Sequence, residues 1–421
     1  MSTTEETREG FYRGEDGEWV PVGWTYFRID DLAIFENSRR IPLSAAQRAK
    51  RQGVYPYYGA SNIFDYLDDY IFEGEHLLIS EDGENLVSRK NPIAFQVDGK
   101  FWVNNHAHIL RGKEPHVTYL LTRLINSLDL SEFITGAAQP KLSKGSLQRL
   151  PILLPVDIEE QKAIAAVLGS LDDKIELLRE QNETLEALAQ TLFKRWFIDF
   201  NFPDENGKPY KDNGGKMIPS ELGEIPESWI CKGLTSYLDV MGGGTPKTTV
   251  PEYWNGEFYF HTPKDASSNF YCITTEKTIT QAGIDNSSTK LFPKNTIFLT
   301  ARGTVGKTSL ALLPMAMNQS CYALKEKHGN NFTGFLLLNE AIHKLQKYAT
   351  SGVFDAITTN TLTSTLMAYP VRELVESFEN NISPNFEKLK INTQQIQTLT
   401  ELRDSLLPKL MKGLIRIPIK L

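Results

Sequence analysis

The sequence predicts an α+β protein built as an internal repeat: two mixed α/β domains, each followed by a long amphipathic helix. Three observations predict it. Two segments, one in the middle of the chain and one at its end, carry apolar residues at alternating steps of three and four. Short apolar runs punctuated by glycine fill the stretches before each of them. Several landmarks of the first half recur, in order, in the second.

The first domain is expected over residues 1–156. Gly59, Gly74, Gly83 and Gly99 mark turns, strands are expected at 77–79 and 94–97, and a helix at 117–128. Residues 157–200 then read as one long helix. Asp157, Glu159 and Glu160 suit the positive end of its dipole. Leu168, Leu171, Ile175, Leu178, Leu185, Ala189, Leu192 and Trp196 form a heptad seam, with Asn182 as its one polar place. At 1.5 Å per residue such a helix is roughly 60 Å long and must pack along another helix.

The second domain is expected over 201–372. Gly242-Gly243-Gly244-Thr245-Pro246 opens a turn, strands are expected at 258–260 and 296–299, and a helix at 332–348. Residues 373–421 supply the partner helix through Ile382, Phe386, Leu389, Ile396, Leu399, Leu402, Leu406 and Leu410, with Pro384 in its first turn and Pro408 bending its end. A shift of 211 residues lays Leu171 on Ile382, Ile175 on Phe386, Leu178 on Leu389, Leu185 on Ile396 and the polar Asn182 on Thr393. Trp24 answers Trp229, Asn105 answers Asn318, and Leu150-Pro151 answers Tyr369-Pro370.

Charge and composition exclude several classes. With 45 Lys+Arg against 52 Asp+Glu the chain is acidic, which excludes a histone-like binder but not a local basic face. Three windows hold no acid: 39–51, 133–156 and 286–325, the last 40 residues long. A surface that lies against phosphates leaves out carboxylates for Coulombic reasons. Three scattered cysteines (Cys231, Cys272, Cys321) make neither a disulfide framework nor a metal pair. The polar start MSTTEETREG is no signal peptide and no apolar run is long enough to span a bilayer, so no membrane association and a cytoplasmic location are expected.

Catalytic motifs are absent. Ala301-Arg302-Gly303-Thr304-Val305-Gly306-Lys307-Thr308 lacks the first glycine of a phosphate loop and leads into a strand-like run, so it reads as a glycine-turned β-hairpin. His106 and His108 alternate as on a strand without a third metal ligand, and structural roles suit them better. Asn91-Pro92-Ile93 lacks the second proline and the aromatic of a base-methylating pocket. No metal site and no catalytic residue are assigned.

The string LPILLPVDIEEQKAIAAVLGSLDDKIELLREQNETLEALAQTLFKRWFIDF (150–200) closely resembles the central helical region of type I restriction–modification specificity subunits. The GGGTP turn, the ARGTVGK hairpin (301–307), the NQSCYAL strand (318–324) and GAAQPKLSKGSLQRLPILLP (136–155) resemble that family's target recognition domains. The resemblance implies two such domains, each reading half of a split double-stranded DNA site, held apart by an antiparallel pair of long helices. It also implies a subunit without catalysis of its own. Two methyltransferase subunits would bring S-adenosylmethionine, and restriction–translocase subunits would bring ATP and Mg.

Charge windows and loop placement then select candidate DNA-binding residues. In the first domain they are Arg39, Arg40, Arg48, Lys50, Arg51, Tyr57, Tyr58, Ser61 and Asn62, with Lys141 and Lys144 on phosphates; in the second they are Lys247, Thr248, His261, Lys264, Arg302, Thr304 and Lys307. Leu171, Ile175, Leu178, Asn182, Leu185, Phe386, Leu389 and Ile396 are assigned to helix pairing. Two other readings compete: a coiled-coil scaffold with two partner-binding domains, and a nucleotide-using enzyme working through 302–308.

Overall fold

A computed structural model describes residues 9–14, 18–136, 138–266, 269–348 and 356–418; the acidic first eight residues lie outside it. The chain divides into two compact units, Met1–Lys174 with Leu399–Leu421, and Ile175–Thr398.

In the first unit, Trp24–Phe27 opens the domain and Ile152–Pro155 closes it as its antiparallel partner. Between them lie two sheets. The core sheet runs in the order Ala33–Phe35, Ala107–Gly112, His76–Ser80, Ala94–Val97, antiparallel throughout. The side sheet runs Ile63–Leu67, Gln52–Tyr58, Lys100–Val103, Phe72–Glu73, and its middle pair is parallel. Helix Pro115–Ser127 covers the core sheet with Val117, Leu120, Leu121, Leu124 and Ile125.

The second unit repeats this topology. Ile230–Gly233 and Leu366–Tyr369 open and close the domain. The core sheet runs Leu238–Gly242, Cys321–Glu326, Ile297–Thr300, Thr308–Ala311, again antiparallel, with Tyr271–Cys272 added as a fifth strand. The side sheet runs Thr278–Ile279, Trp254–His261, Met315–Met317, and its second pairing is parallel. Helix Asn331–Tyr348 takes the covering place. Two domains of one chain sharing strand order and every corresponding strand direction is the duplication seen as topology.

The register corrects two of the repeat matches. Trp24 pairs with Pro155 and Thr25 with Leu154, while Ile230 pairs with Tyr369, so Pro155 answers Pro370. The match of Leu150-Pro151 to Tyr369-Pro370 is four residues off, because a Leu-Pro pair occurs twice before the first helix. Likewise Asn104, not Asn105, answers Asn318. Each accepts from the amide two residues on (His106 N at 2.8 Å, Ser320 N at 3.0 Å) and donates its own amide to the end of the long side-sheet strand (Tyr58 O and His261 O, both 3.0 Å). The strands expected at 77–79 and 296–299 form as His76–Ser80 and Ile297–Thr300, buried on both faces because they are central in their sheets.

The long helices are Ile158–Phe193 and Arg372–Met411. The first ends in a π-helical turn, Lys194–Ile198, which stacks Phe193 on Phe197 at 4.5 Å. Pro384 lies well inside the second helix and not in its first turn. It is exposed there, so the Asn380 carbonyl that loses its partner faces solvent. In the second unit Ile175, Leu178, Ile382, Phe386 and Leu389 are buried, with Leu185 and Ile396 half-buried. The polar places that repeat 211 residues apart meet each other: Asn182 Nδ2 donates to Thr393 Oγ1 at 3.3 Å. Buried Asn392 donates to Asn182 Oδ1 at 3.0 Å and Gln181 Oε1 at 3.3 Å. Only an antiparallel alignment brings i and i+211 together at one point, the local dyad of the repeat. In the first unit the same antiparallel pairing is fixed by Arg403 on Asp172 at 2.9 Å, with Tyr119 and Arg123 on the same carboxylate at 2.5 and 2.6 Å.

Each domain is completed by the chain that follows a long helix. Trp24, 2% exposed, donates to Glu160, which is clamped by Arg416 at 2.7 Å; Gly413, at φ +60°, lies so close that a Cβ would sit 2.5 Å from Pro21. Its counterpart Trp229 is enclosed by Phe197, Phe200 and Phe202.

Candidate nucleic-acid interface

In the second domain four loops gather at one end of the strands. The hairpin Ile297–Thr300/Thr308–Ala311 turns through 301–307 with Gly303 at φ +84° and Gly306 at φ +86°, values open to glycine at no steric cost. Its stem is pinned: Ala301 N and Arg302 N both donate to Ser320 O, at 2.8 and 3.2 Å, and Thr304 Oγ1 donates to Pro263 O at 3.1 Å. Gly244 N donates to Met317 O at 3.1 Å, and Thr245 bonds Gln319. A Cβ on Gly243 would meet Asn318 O at 2.2 Å, so this glycine of the GGGTP turn is needed for the close approach.

These loops carry exposed Arg302, Lys307, Lys264, Lys247 and Thr248. The side chains of Arg302 and Lys307 make no ion pair among the described residues, and Lys264 has only an exposed contact with Glu276 at 3.6 Å, which solvent screens. The nearby Asp265 is held inward. It accepts from Thr262 N and Oγ1 (2.8 and 2.7 Å) and from Glu276 N at 2.7 Å. The end is therefore a surface of exposed cations on fixed backbone, with Arg302 and Lys307 free of ion pairs among the described residues. It is also a hairpin between antiparallel strands, as its sequence predicts, and lacks the strand-to-helix passage of a phosphate loop.

His261 corrects the set. It is fully buried beside Phe298, Ser309 and Cys321, 3.7 Å from the Cys321 thiol, and it touches no solvent. Burial pushes its imidazole down to about 4 and the Cys321 thiol up to about 12. That is the reverse of an activated Cys–His pair, so the contact is packing. The apolar run at 258–260 carries no sign that the last residue of its strand, His261, packs against the core sheet.

The first domain presents the matching end with other chemistry. Ser80 pairs with Ala107 and Thr300 with Cys321, so Glu81-Asp82-Gly83 stands where the second domain has Ala301-Arg302-Gly303. Asp82 binds His106 at 2.8 Å. Arg40, nominated for DNA, is instead built in: it reaches Glu81 at 2.7 Å and the carbonyls of Ala107, Asn105 and Asn37 at 2.8, 3.2 and 3.1 Å. Burial pushes the Glu81 carboxyl up, but the bonds and charge of Arg40, with Lys141 at 3.4 Å, hold it below the usual carboxylate range.

Other nominees are engaged as well. Arg48 pairs with Asp65 at 2.9 Å over the Phe64 ring, and Arg51 pairs with Asp68 at 2.9 Å over Trp102. Tyr57 is 1% exposed and its hydroxyl accepts from Leu43 N at 3.1 Å, so it is core. Tyr58 is half-buried against Phe95 and Phe101, and burial raises its phenol. Arg39 is exposed but bound to Glu36 and to Ile71 O at 2.8 Å. Lys50, Ser61, Asn62, Lys141 and Lys144 remain at the surface, Ser61 partly covered and Lys144 5.0 Å over the Phe35 ring. The acid-free window 39–51 misled because its neutralising partners lie outside it, Glu36 just before and Asp65, Asp68 and Glu81 further on. Sequence reasoning passed over Asp82 and Gln319; the shared Asn104/Asn318 turn could have pointed to both.

His106 and His108 do not share a face. His106 precedes its strand, whereas His108 is buried between Asn37 Nδ2 at 2.8 Å and Leu142 O at 2.7 Å. Among the described residues no cluster of three His, Cys, Asp or Glu could hold a metal, and no helix is long and apolar enough to cross a membrane.

Comparison with known proteins agrees with this architecture. The chain is 27% identical over 424 residues to the type I restriction enzyme MjaIX specificity subunit of Methanocaldococcus jannaschii, spanning 94% of this chain and 95% of that one. It is 25% identical to the type I restriction enzyme HindI specificity subunit of Haemophilus influenzae, spanning 81% and 83%. A crystal structure of the S subunit of a type I restriction-modification system from M. genitalium shares the fold, with a TM-score of 0.61 at 16% identity and full coverage of both chains. A profile described as the type I restriction modification DNA specificity domain matches twice, over residues 21–187 and 226–373. With that domain present in two copies, matching the repeat of strands and helices, the chain belongs to the type I restriction–modification DNA specificity family.

Proposed function

We propose that this chain is the non-catalytic, DNA-reading subunit of its complex, each domain reading one half of a bipartite duplex site. The observation that carries the reading is the repeated strand end, with the same backbone frame in both domains and different side chains on it. Lys307, Lys264 and Lys247 of the second domain, and Lys50, Lys141 and Lys144 of the first, anchor phosphates; the exposed tips read base edges. The buried seam around Asn182, Asn392 and Thr393 supports a second part of the reading, in which the paired helices set the separation of the half-sites and dock two methyltransferase subunits. In this reading S-adenosylmethionine is held by those methyltransferases, and ATP with Mg by restriction subunits.

The test maps methylated adenines genome-wide with the gene present and deleted. One bipartite motif should lose all methylation on deletion and regain it on complementation. An unchanged methylation pattern, or methylase activity from the purified chain alone, overturns the reading.

A further inference from the structure

We infer that Arg302 reads a guanine in the half-site of the second domain, an inference that rests on the DNA-reading function proposed above. Residues 301–303 and 81–83 occupy the same place in two copies of one fold, each leaving a central core strand and each with glycine third, at φ +84° and φ +113°. The frame is constant. The side chain before that glycine is not: Asp82 in one domain, Arg302 in the other. A position whose backbone is preserved while its charge reverses is not serving the fold, and two domains that read different half-sites need such a position.

Arg302 is also free to read. It is exposed, it makes no hydrogen bond or ion pair through its side chain among the described residues, and its amide is tied to Ser320 O at 3.2 Å. Thr304 bonds Pro263 O, and a Cβ on Gly303 would lie 3.5 Å from the Pro263 ring, so the tip is braced from both sides. A braced loop loses little entropy on binding. Lys264 and Lys307 flank it and suffice for phosphate charge. A planar guanidinium between two ammonium groups offers what they lack, a fork of two parallel N–H donors. In the major groove the base edge that presents two acceptors side by side, O6 and N7, is guanine.

The experiment uses the complex of this chain with its methyltransferase, bound to duplexes carrying the mapped site. Arg302→Ala should weaken binding about 5- to 150-fold and relax a single guanine of the methylated motif, leaving the other half-site unchanged. Replacing each guanine in turn by 7-deazaguanine, which lacks the N7 acceptor, should weaken the wild type several-fold at that one position and leave Arg302→Ala indifferent there. Arg302→Lys, which keeps the charge and loses the fork, should not restore the preference. The inference is overturned if Arg302→Ala weakens every sequence equally with a shallower salt dependence, the mark of a phosphate contact, or if it changes nothing. Wild-type complex indifferent to sequence would defeat the underlying function instead, and is told apart because it needs no variant.

Discussion

The two domains share strand order, strand direction and turn geometry, yet their matching ends differ in how charge is disposed. At the first, Glu81 is paired with Arg40 and Lys141, and Asp82 with His106. At the second, Arg302 and Lys307 stand without ion pairs among the described residues, and the local acid, Asp265, is turned inward onto amides. The interiors differ too. The helix-covered core of the first domain is mostly aliphatic, whereas that of the second gathers Phe193, Trp196, Phe197, Trp229, Phe332, Phe335, Phe378 and Phe386. A fold fixes its hydrogen-bonded frame and leaves both filling and surface to drift, so a cation's role is decided by its neighbours and not by its type.

Four experiments bear on that contrast. The largest effect falls on the aromatic core. Phe386 is fully buried, stacked on Phe332 at 4.4 Å and Phe270 at 5.6 Å, so Phe386→Ala should cost about 3–5 kcal/mol in denaturant unfolding. A loss below about 1 kcal/mol would show that the cluster collapses around the gap and that aromatic filling is incidental.

Acid comes next. His261 titrates near 4 when folded and near 6.5 when unfolded, so the unfolded chain takes up its proton first. Its contribution is intact above about pH 6.5 and is lost as pH falls toward 4, amounting to about 3 kcal/mol at most. The first domain has Tyr58 at that place, which does not titrate there. His261→Phe should flatten the acid limb of the stability–pH curve; an unchanged limb would assign it to other groups.

The paired tryptophans give a smaller difference. Trp24 Nε1 donates to Glu160 at 3.4 Å, while Trp229 Nε1 is buried without a partner among the described residues. Trp24→Phe should cost about 1 kcal/mol more than Trp229→Phe, measured by thermal unfolding of the two variants side by side. Equal losses would mean that volume alone governs both sites.

The smallest effect is on stability at the surface. Lys307→Ala should change unfolding by no more than about 0.5 kcal/mol and reduce the salt slope of DNA binding by the complex by about 1. Arg40→Met, by contrast, removes the partner of a largely buried Glu81 and should destabilise by about 3 kcal/mol. If the two variants unfold alike, the division between built-in and free cations is wrong.

Much of the architecture is legible in the residue order. The seam of Leu178, Asn182 and Leu185, its echo in Leu389, Thr393 and Ile396, and the glycine-turned hairpin at 301–307 are local patterns, and helix and turn formation answer to local patterns. Even the meeting of Asn182 with Thr393 follows from a repeat folded antiparallel on itself. Offsets between distant repeats were less secure, since Leu-Pro recurs within a few residues and only strand register separates Pro151 from Pro155.

Which cations stand free of ion pairs was legible only where no distant partner was involved. Arg302 and Lys307 were identifiable because their whole neighbourhood, 286–325, lacks acids and supplies its own loop. Arg40, Arg48 and Arg51 were not, since Glu81, Asp65 and Asp68 reach them from 17 to 41 residues further along the chain. The repeat, the two helices and the seam that joins them follow from residue order, because periodicity is written in neighbours. Tertiary structure alone decided which cations face outward uncompensated and that His261 is sealed in the core, because pairing and burial are set by chain segments that sequence keeps apart.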